Sequence, residues 1–385
     1  MSKDSLKGNT DRLLKWLNAV GFAFNPFEVV EASLDSNLSK YLVEHSDFAN
    51  TWGNWSNVVG APAGGGKTAM RIRLTQACFT GGDINRPFPI NYVIPFLKFG
   101  ERKVLYDDHL QEIVRTAGIY LLLFIACRPY KFFRLDKKEQ DQVCKALMLT
   151  LPGPLTTFLE PCIQSNNLNY LKSYFPLSTI PPLQDEKISI EFLRALKETK
   201  QAEVRSSLVE KWEILVNALV HILKFPSIYL LVDGIDAAPT TSNNAQHGIE
   251  YILPVLEKIN ILKTSSIFLK LFLPSTMLEV LREEFSELIE DVHTIDIKWT
   301  HSNLADVIRK RVFVASEGAF GSLQPFCSPA ISEMEMQMAR IVSPLPREMI
   351  VFTRQLLINH VNSEYSDLLQ PVTFKKTIDW YKKTQ

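Results

Sequence analysis

The chain has 385 residues, 46% hydrophobic and 22% charged, with 42 basic residues balancing 42 acidic ones. That composition suits a soluble globular protein with one large or two modest domains and excludes a disordered or collagen-like chain. The zero net charge leaves no global field toward nucleic acid or an anionic membrane, and five widely spaced cysteines without a CxxC pair predict reduced thiols rather than a disulfide framework or zinc site.

In chain order, Asp11 to Val20 reads as a helix, followed by the turn-rich "FAFNPFEVV" and a mixed segment ending near Trp55. The N-terminus lacks the apolar core of a signal peptide. Val58 and Val59 form a short apolar strand running into "GAPAGGGKT". Residues 68–78 have helical periodicity, with Met70, Ile72, Leu74 and Ala77 available for burial. Ile90 to Phe96 reads as a buried strand. From Gly100 to Phe225 helical patterns dominate, broken by "LPGP" at 151–154 and "FPLSTIPPL" at 175–183. The apolar run Ala117 to Cys127 falls short of the roughly 20 residues a bilayer needs, so a buried helix is expected. Leu208, Trp212, Leu215, Leu219 and Ile222 recur on one helical face. Residues 227–233, 265–274 and 293–299 read as strands, ahead of a helical C-terminal part. Apolar strands alternating with helices predict an α/β fold whose parallel sheet is covered on both faces.

The stretch after Val59 carries chemistry. Gly64, Gly65 and Gly66 allow backbone conformations that side chains forbid, so successive N–H groups can wrap a phosphate at the start of a helix. Lys67 would then place its ammonium on the β- and γ-phosphate oxygens and Thr68 its hydroxyl on Mg²⁺. Ala61 stands where such loops open with glycine, a position that needs small size more than a free φ. A second requirement is a carboxylate for Mg²⁺ at the end of another buried strand. "IYLLVDGIDAAP" offers Asp233 there and Asp236 three residues on; the plainer reading is a strand ending in an Asp-Gly turn.

Together, "GAPAGGGKT" and "YLLVDGIDA" resemble the ATPase core of the STAND and AAA+ branch of P-loop NTPases, with NACHT and KAP domains nearest. The resemblance covers about residues 20–100 and 205–360. It implies a three-layer P-loop fold: an N-terminal segment 1–55, a core 56–299 with a helical insertion at about 100–205, and a helical or winged-helix-like lid over 300–385. It further implies that ATP or ADP lies on Ala61, Pro62, Ala63, Gly64, Gly65, Gly66, Lys67, Thr68 and Ala69. Thr68 and Asp233 would hold Mg²⁺, and Asp236 would polarise the attacking water. Asn25, Pro26 and Phe27 resemble the segment that lies against adenine, and Pro346 and Arg347 stand where relatives touch the nucleotide at a helix start. A solvated arginine is the alternative for Arg347. Relatives continue the second motif with glutamate, and Ala237 replaces it here, which argues against efficient hydrolysis but not against binding.

The function so implied is a cytoplasmic, nucleotide-controlled switch and slow ATPase. It would act on a separately encoded partner or on copies of itself, in settings that include prokaryotic antiviral defence. Two rivals stay open: a motor or loader acting on DNA or protein, and a nucleotide-stabilised scaffold without turnover. Arg309 and Arg311 read as surface or interdomain charges. Lys270, inside a strand, is expected to reach a rim or a carboxylate, His221 to be a satisfied structural histidine, and "TFKKTIDWYKKTQ" a solvated terminal helix. The Met334, Met336 and Met338 segment reads as a packed helix, and the seven histidines lack metal-ligand spacing.

Overall fold

The computed structural model describes residues 3–80, 86–94, 103–151, 155–172, 185–198, 206–363 and 367–384. The proline-rich stretch at 175–183, most of "LPGP" and the end of the 90–96 segment lie outside them. The chain forms two compact units, one of Met1–Phe48, Ala61–Met70 and Ile297–Gln385, the other of Ala49–Gly60 and Arg71–Asp296.

The second unit is built on five parallel strands: β1 (Asn57–Gly60), β2 (Phe88–Val93), β3 (Ile228–Asp233), β4 (Ile267–Leu273) and β5 (His293–Asp296). Their order across the sheet is β2-β3-β4-β1-β5. β1, β3 and β4 are buried along their whole length, as the continuous apolar runs require of a sheet covered on both faces. Gly60 pairs with Leu273 on one side and Asp296 on the other, so the carboxyl ends of β1, β4 and β5 share an edge, and β3 ends at Asp233 one strand beyond β4. Right-handed crossovers send the connection out of β1 to one face and those out of β2, β3 and β4 to the other. β1 and β4 therefore meet at the switch point of the sheet, where open parallel sheets take ligands at their carboxyl ends.

Between β2 and β3 the described residues are helical. The longest helix, Tyr106–Cys127, is long and apolar enough to cross a membrane, but 83% of its most apolar window is buried, which fits a core helix. It packs on β2 and on the helix Lys137–Thr150. The periodic segment at 208–222 starts as an α-helix over Leu208–Val216 and then widens into a π-helical turn over Asn217–Ile222. Trp212, Leu215, Leu219 and Ile222 are buried as the pattern predicts. His221 is exposed, not the satisfied structural histidine expected: one position before Ile222, it falls on the far side of the helix from the apolar face.

Lys270, midway along β4, is also placed differently. It is fully buried, and Nζ donates to the carbonyls of Trp55 (2.8 Å) and Gly53 (3.2 Å), 4.4 Å from the centre of the Tyr229 ring. It reaches neither a rim nor a carboxylate, since the backbone leading into β1 passes within its span. Burial lowers its pKa from 10.5 to about 7.

The first unit is helical, with Lys3–Ala19, His301–Ala315, Met334–Ile341, Pro346–Val361 and Pro371–Thr384 packed around Leu13, Leu17, Leu304, Met338, Phe352 and Leu356. Met334 and Met338 are fully buried, so the methionines pack the core. The C-terminal helix is docked, not solvated: Phe374, Thr377 and Tyr381 are buried, and the Tyr381 hydroxyl accepts from the Ser343 N–H at 3.0 Å. Arg309 pairs with Asp306 three residues before it. Arg311 is an internal cation instead of a surface one. It lies over the Tyr41 ring and donates to Pro26 O and, at 3.3 Å, to Asp35, which also accepts from the Tyr41 hydroxyl at 2.6 Å. All five cysteines are buried and none forms a disulfide.

Candidate functional site

The glycine loop begins where β1 ends. Ala61 is 1% exposed and its φ is not positive, so alanine meets no backbone strain there. Gly64 (φ 78°) and Gly66 (φ 99°) occupy the left-handed region that favours glycine. At Gly65 a β-carbon would come within 2.9 Å of the Ala61 methyl and of Pro62 O, so this glycine is fixed by crowding. The Gly65 N–H closes the turn on Pro62 O at 3.0 Å. The helix Lys67–Phe79 follows, and its first intrahelical donor is the N–H of Met70, bonded to Gly66 O at 2.9 Å. The amides of Lys67, Thr68 and Ala69 thus have no intrahelical acceptor, which is the geometry of an anion-binding helix start.

Lys67 is 7% exposed, and Nζ donates to Ala61 O (2.9 Å) and Pro62 O (3.2 Å). Two residues brace the loop from within the same unit. Trp299 Nε1 donates to Gly65 O at 2.8 Å, and its ring lies 3.5 Å from where a Gly66 β-carbon would stand. Arg347 opens the helix Pro346–Val361 with its side chain against Gly64; its N–H reaches Gly64 O at 3.4 Å and its guanidinium pairs with Glu31 at 2.9 Å. Pro346 and Arg347 therefore lie at the loop, with Arg347 held by an acid. Asn25 Oδ1 accepts from the Phe27 N–H at 3.0 Å, Pro26 O is taken by Arg311, and Phe27 is fully buried in the helical core. What that segment presents is its turn, not an aromatic face.

In the sheet unit, Asp233 ends β3 and is 4% exposed. Its Oδ2 accepts from Arg71 Nε at 2.9 Å and its Oδ1 from the Gly234 N–H at 2.8 Å. Arg71 also donates to Asn91 Oδ1 (2.8 Å), which accepts from Thr75 Oγ1 (2.9 Å), while Asn91 Nδ2 donates to the Tyr120 hydroxyl (2.7 Å). Asp233 is thus the terminus of a buried polar chain linking β3, β2 and two helices. Asp236 is half-buried in the turn after β3, where the Ala237 N–H bonds to Gly234 O at 3.1 Å.

Sequence reasoning passed over Arg71, Trp299 and Glu31. Arg71 was the one with a signal: it lies four residues after Lys67, inside a helix whose neighbouring positions were all marked for burial. No cluster of three metal-ligating side chains occurs among the described residues, and Mg²⁺ held mainly by phosphates and water needs none. The loop fits a phosphate chain. No protein-family model, curated protein or solved structure matches the chain.

Proposed function

We propose that this chain is a P-loop NTPase of the STAND and AAA+ type that binds ATP or ADP with Mg²⁺ and serves as a nucleotide-controlled switch. In this reading the fold is three-layered, with a helical insertion and a helical lid. The observation that carries the reading is the loop itself: two left-handed glycines, a crowded third, and a lysine folded over them at the start of a helix. Support comes from its position at the end of β1, beside the switch point of the sheet. Lys67 and the amides at 66–69 hold the phosphates, Thr68 and Asp233 serve Mg²⁺, and Asp236 orients water. Phosphoryl transfer asks mainly for positioning and charge stabilisation, so these groups suffice for slow turnover. The partner is a protein or a second copy of the chain.

The Arg71 clasp on Asp233 favours a second reading, in which nucleotide stabilises a scaffold without useful turnover. One experiment tests both. Thermal unfolding is followed with and without Mg-ATP in wild type and Lys67→Ala, with phosphate release measured in the same samples. Ligand at about 1,000 times its dissociation constant adds roughly 4 kcal/mol of stability. A rise in wild type that Lys67→Ala abolishes supports the site, and phosphate release then separates switch from scaffold. No rise in nucleotide-free protein overturns both.

A further inference from the structure

Arg347 lies in the first turn of the helix Pro346–Val361, and its side-chain stem runs along the glycine loop. A β-carbon on Gly64 would stand 2.7 Å from the Arg347 β-carbon and 3.1 Å from its δ-carbon, so the glycine is what lets the arginine approach. The guanidinium ends beyond the loop, 39% exposed, where Nη2 donates to Glu31 Oε2 at 2.9 Å. Glu31 is 49% exposed. It follows the buried Phe27 by four residues and opens a turn closed by the Leu34 N–H on Glu31 O at 3.1 Å. The carboxylate therefore reaches Arg347 from a backbone that is anchored on both sides.

The first turn of a helix is the wrong end for a cation, because the aligned peptide dipoles already make it positive. Arg347 is nevertheless placed there, against a loop that opens a second helix, Lys67–Phe79, and three residues along that loop from Lys67. Positive charge from two helix starts and two side chains thus collects around one loop, and Glu31 sets an anion beside it. The stem alone would fill the space along Gly64, so packing does not account for the guanidinium. Glu31 takes one of its five N–H groups, and the other four have no hydrogen-bond partner among the described residues.

Ion pairs as exposed as this one are weak and open to exchange, whereas a phosphate meets the guanidinium fork with two parallel charge-assisted hydrogen bonds. We propose that Glu31 competes with the polyphosphate of a nucleotide for Arg347: the carboxylate lowers the affinity of the loop for the anion, and a bound phosphate frees Glu31 and the turn it opens. The inference rests on the P-loop reading of the same site. The exchange moves hydrogen bonds only. One anion replaces another on the guanidinium, and Glu31 stays ionised.

The test is calorimetric titration of Mg-ATP into the full chain at low ionic strength, where exposed charges are least screened. Glu31→Gln is a surface change and should fold like wild type. It should bind Mg-ATP about threefold to fivefold more tightly, the factor given by roughly 0.6–1 kcal/mol. Arg347→Gln should bind more weakly than wild type. The double variant isolates the competition: without Arg347, the change Glu31→Gln should alter affinity by less than about twofold, because the contested group is gone. Glu28→Gln removes another exposed acid three residues away and should leave affinity near that of wild type. The proposal is overturned if Glu31→Gln fails to tighten binding, if its gain persists in full alongside Arg347→Gln, or if Glu28→Gln gives the same gain. Failure of both wild type and Glu31→Gln to bind Mg-ATP overturns the P-loop reading and the proposal with it. Equal binding by the two overturns the proposal alone.

Discussion

Replacing Arg71 with methionine removes the centre of the buried polar chain while keeping most of the side-chain stem. In wild type the guanidinium serves Asp233 at 2.9 Å and Asn91 at 2.8 Å, with the arginine and aspartate side chains 3% and 6% exposed. Without it the buried carboxylate loses its ion pair with Arg71, and breaking a buried pair from one side costs about 3–5 kcal/mol. For a unit of this size each kcal/mol is worth about 2–4 °C, so Arg71→Met should lower the melting temperature by about 6–20 °C. Urea denaturation followed by tryptophan fluorescence gives the same loss as a free energy. Arg71→Met with Asp233→Leu should recover most of it, because an apolar pair of similar volume is often neutral relative to a buried ion pair. A double-mutant cycle reads the coupling directly. A loss below about 1 kcal/mol for Arg71→Met, or a double variant as unstable as the sum of the singles, would refute the view of Asp233 as a clamped, charged chain end.

Lys270 supplies a pH signature. Its folded pKa of about 7 lies below the ordinary 10.5, so between those values the unfolded chain binds the extra proton and stability rises with pH. Wild type should gain about 2–3 kcal/mol between about pH 7 and about pH 9 that Lys270→Met does not. Comparing urea midpoints of the two proteins isolates this from Cys78 and Tyr229, whose raised pKa values act in the opposite direction at higher pH. Ala61→Gly, which restores the usual loop opening, should cost about 0.4–1 kcal/mol through a more flexible unfolded chain and leave the Mg-ATP-induced thermal shift unchanged. Tyr381→Phe should cost about 0.5–1.5 kcal/mol by freeing the Ser343 N–H; equal stability by urea denaturation would argue against a docked C-terminal helix.

The sheet was legible because its strands are unbroken apolar runs. Residues 227–233 and 265–274 contain β3 and β4 almost residue for residue, and Val58 and Val59 lie within β1. The glycine spacing likewise marked the loop and the helix after it. The residues that hold these parts in place were hidden, since their partners are remote in sequence. Arg71 meets a carboxylate 162 positions away, and Trp299 meets Gly65 across 234. The π-helical turn escaped for a different reason: over six residues an α-helical and a widened turn are compatible with the same apolar spacing. In the C-terminal helix a buried threonine, Thr377, sits between Phe374 and Tyr381, so four lysines dominated the pattern. Its asparagine partner, Asn359, is supplied by the preceding helix.

The carbonyls of the glycine loop are held from within its own unit. The Lys67 ammonium rests on two carbonyls, Trp299 takes a third, and the amide of Arg347 meets a fourth. Under the proposed function, a phosphate would compete for the Lys67 ammonium with the carbonyls of Ala61 and Pro62. Recognition would then be an exchange reaction in which neutral amide oxygens are traded for anionic ones, driven by the difference between the two sets of bonds.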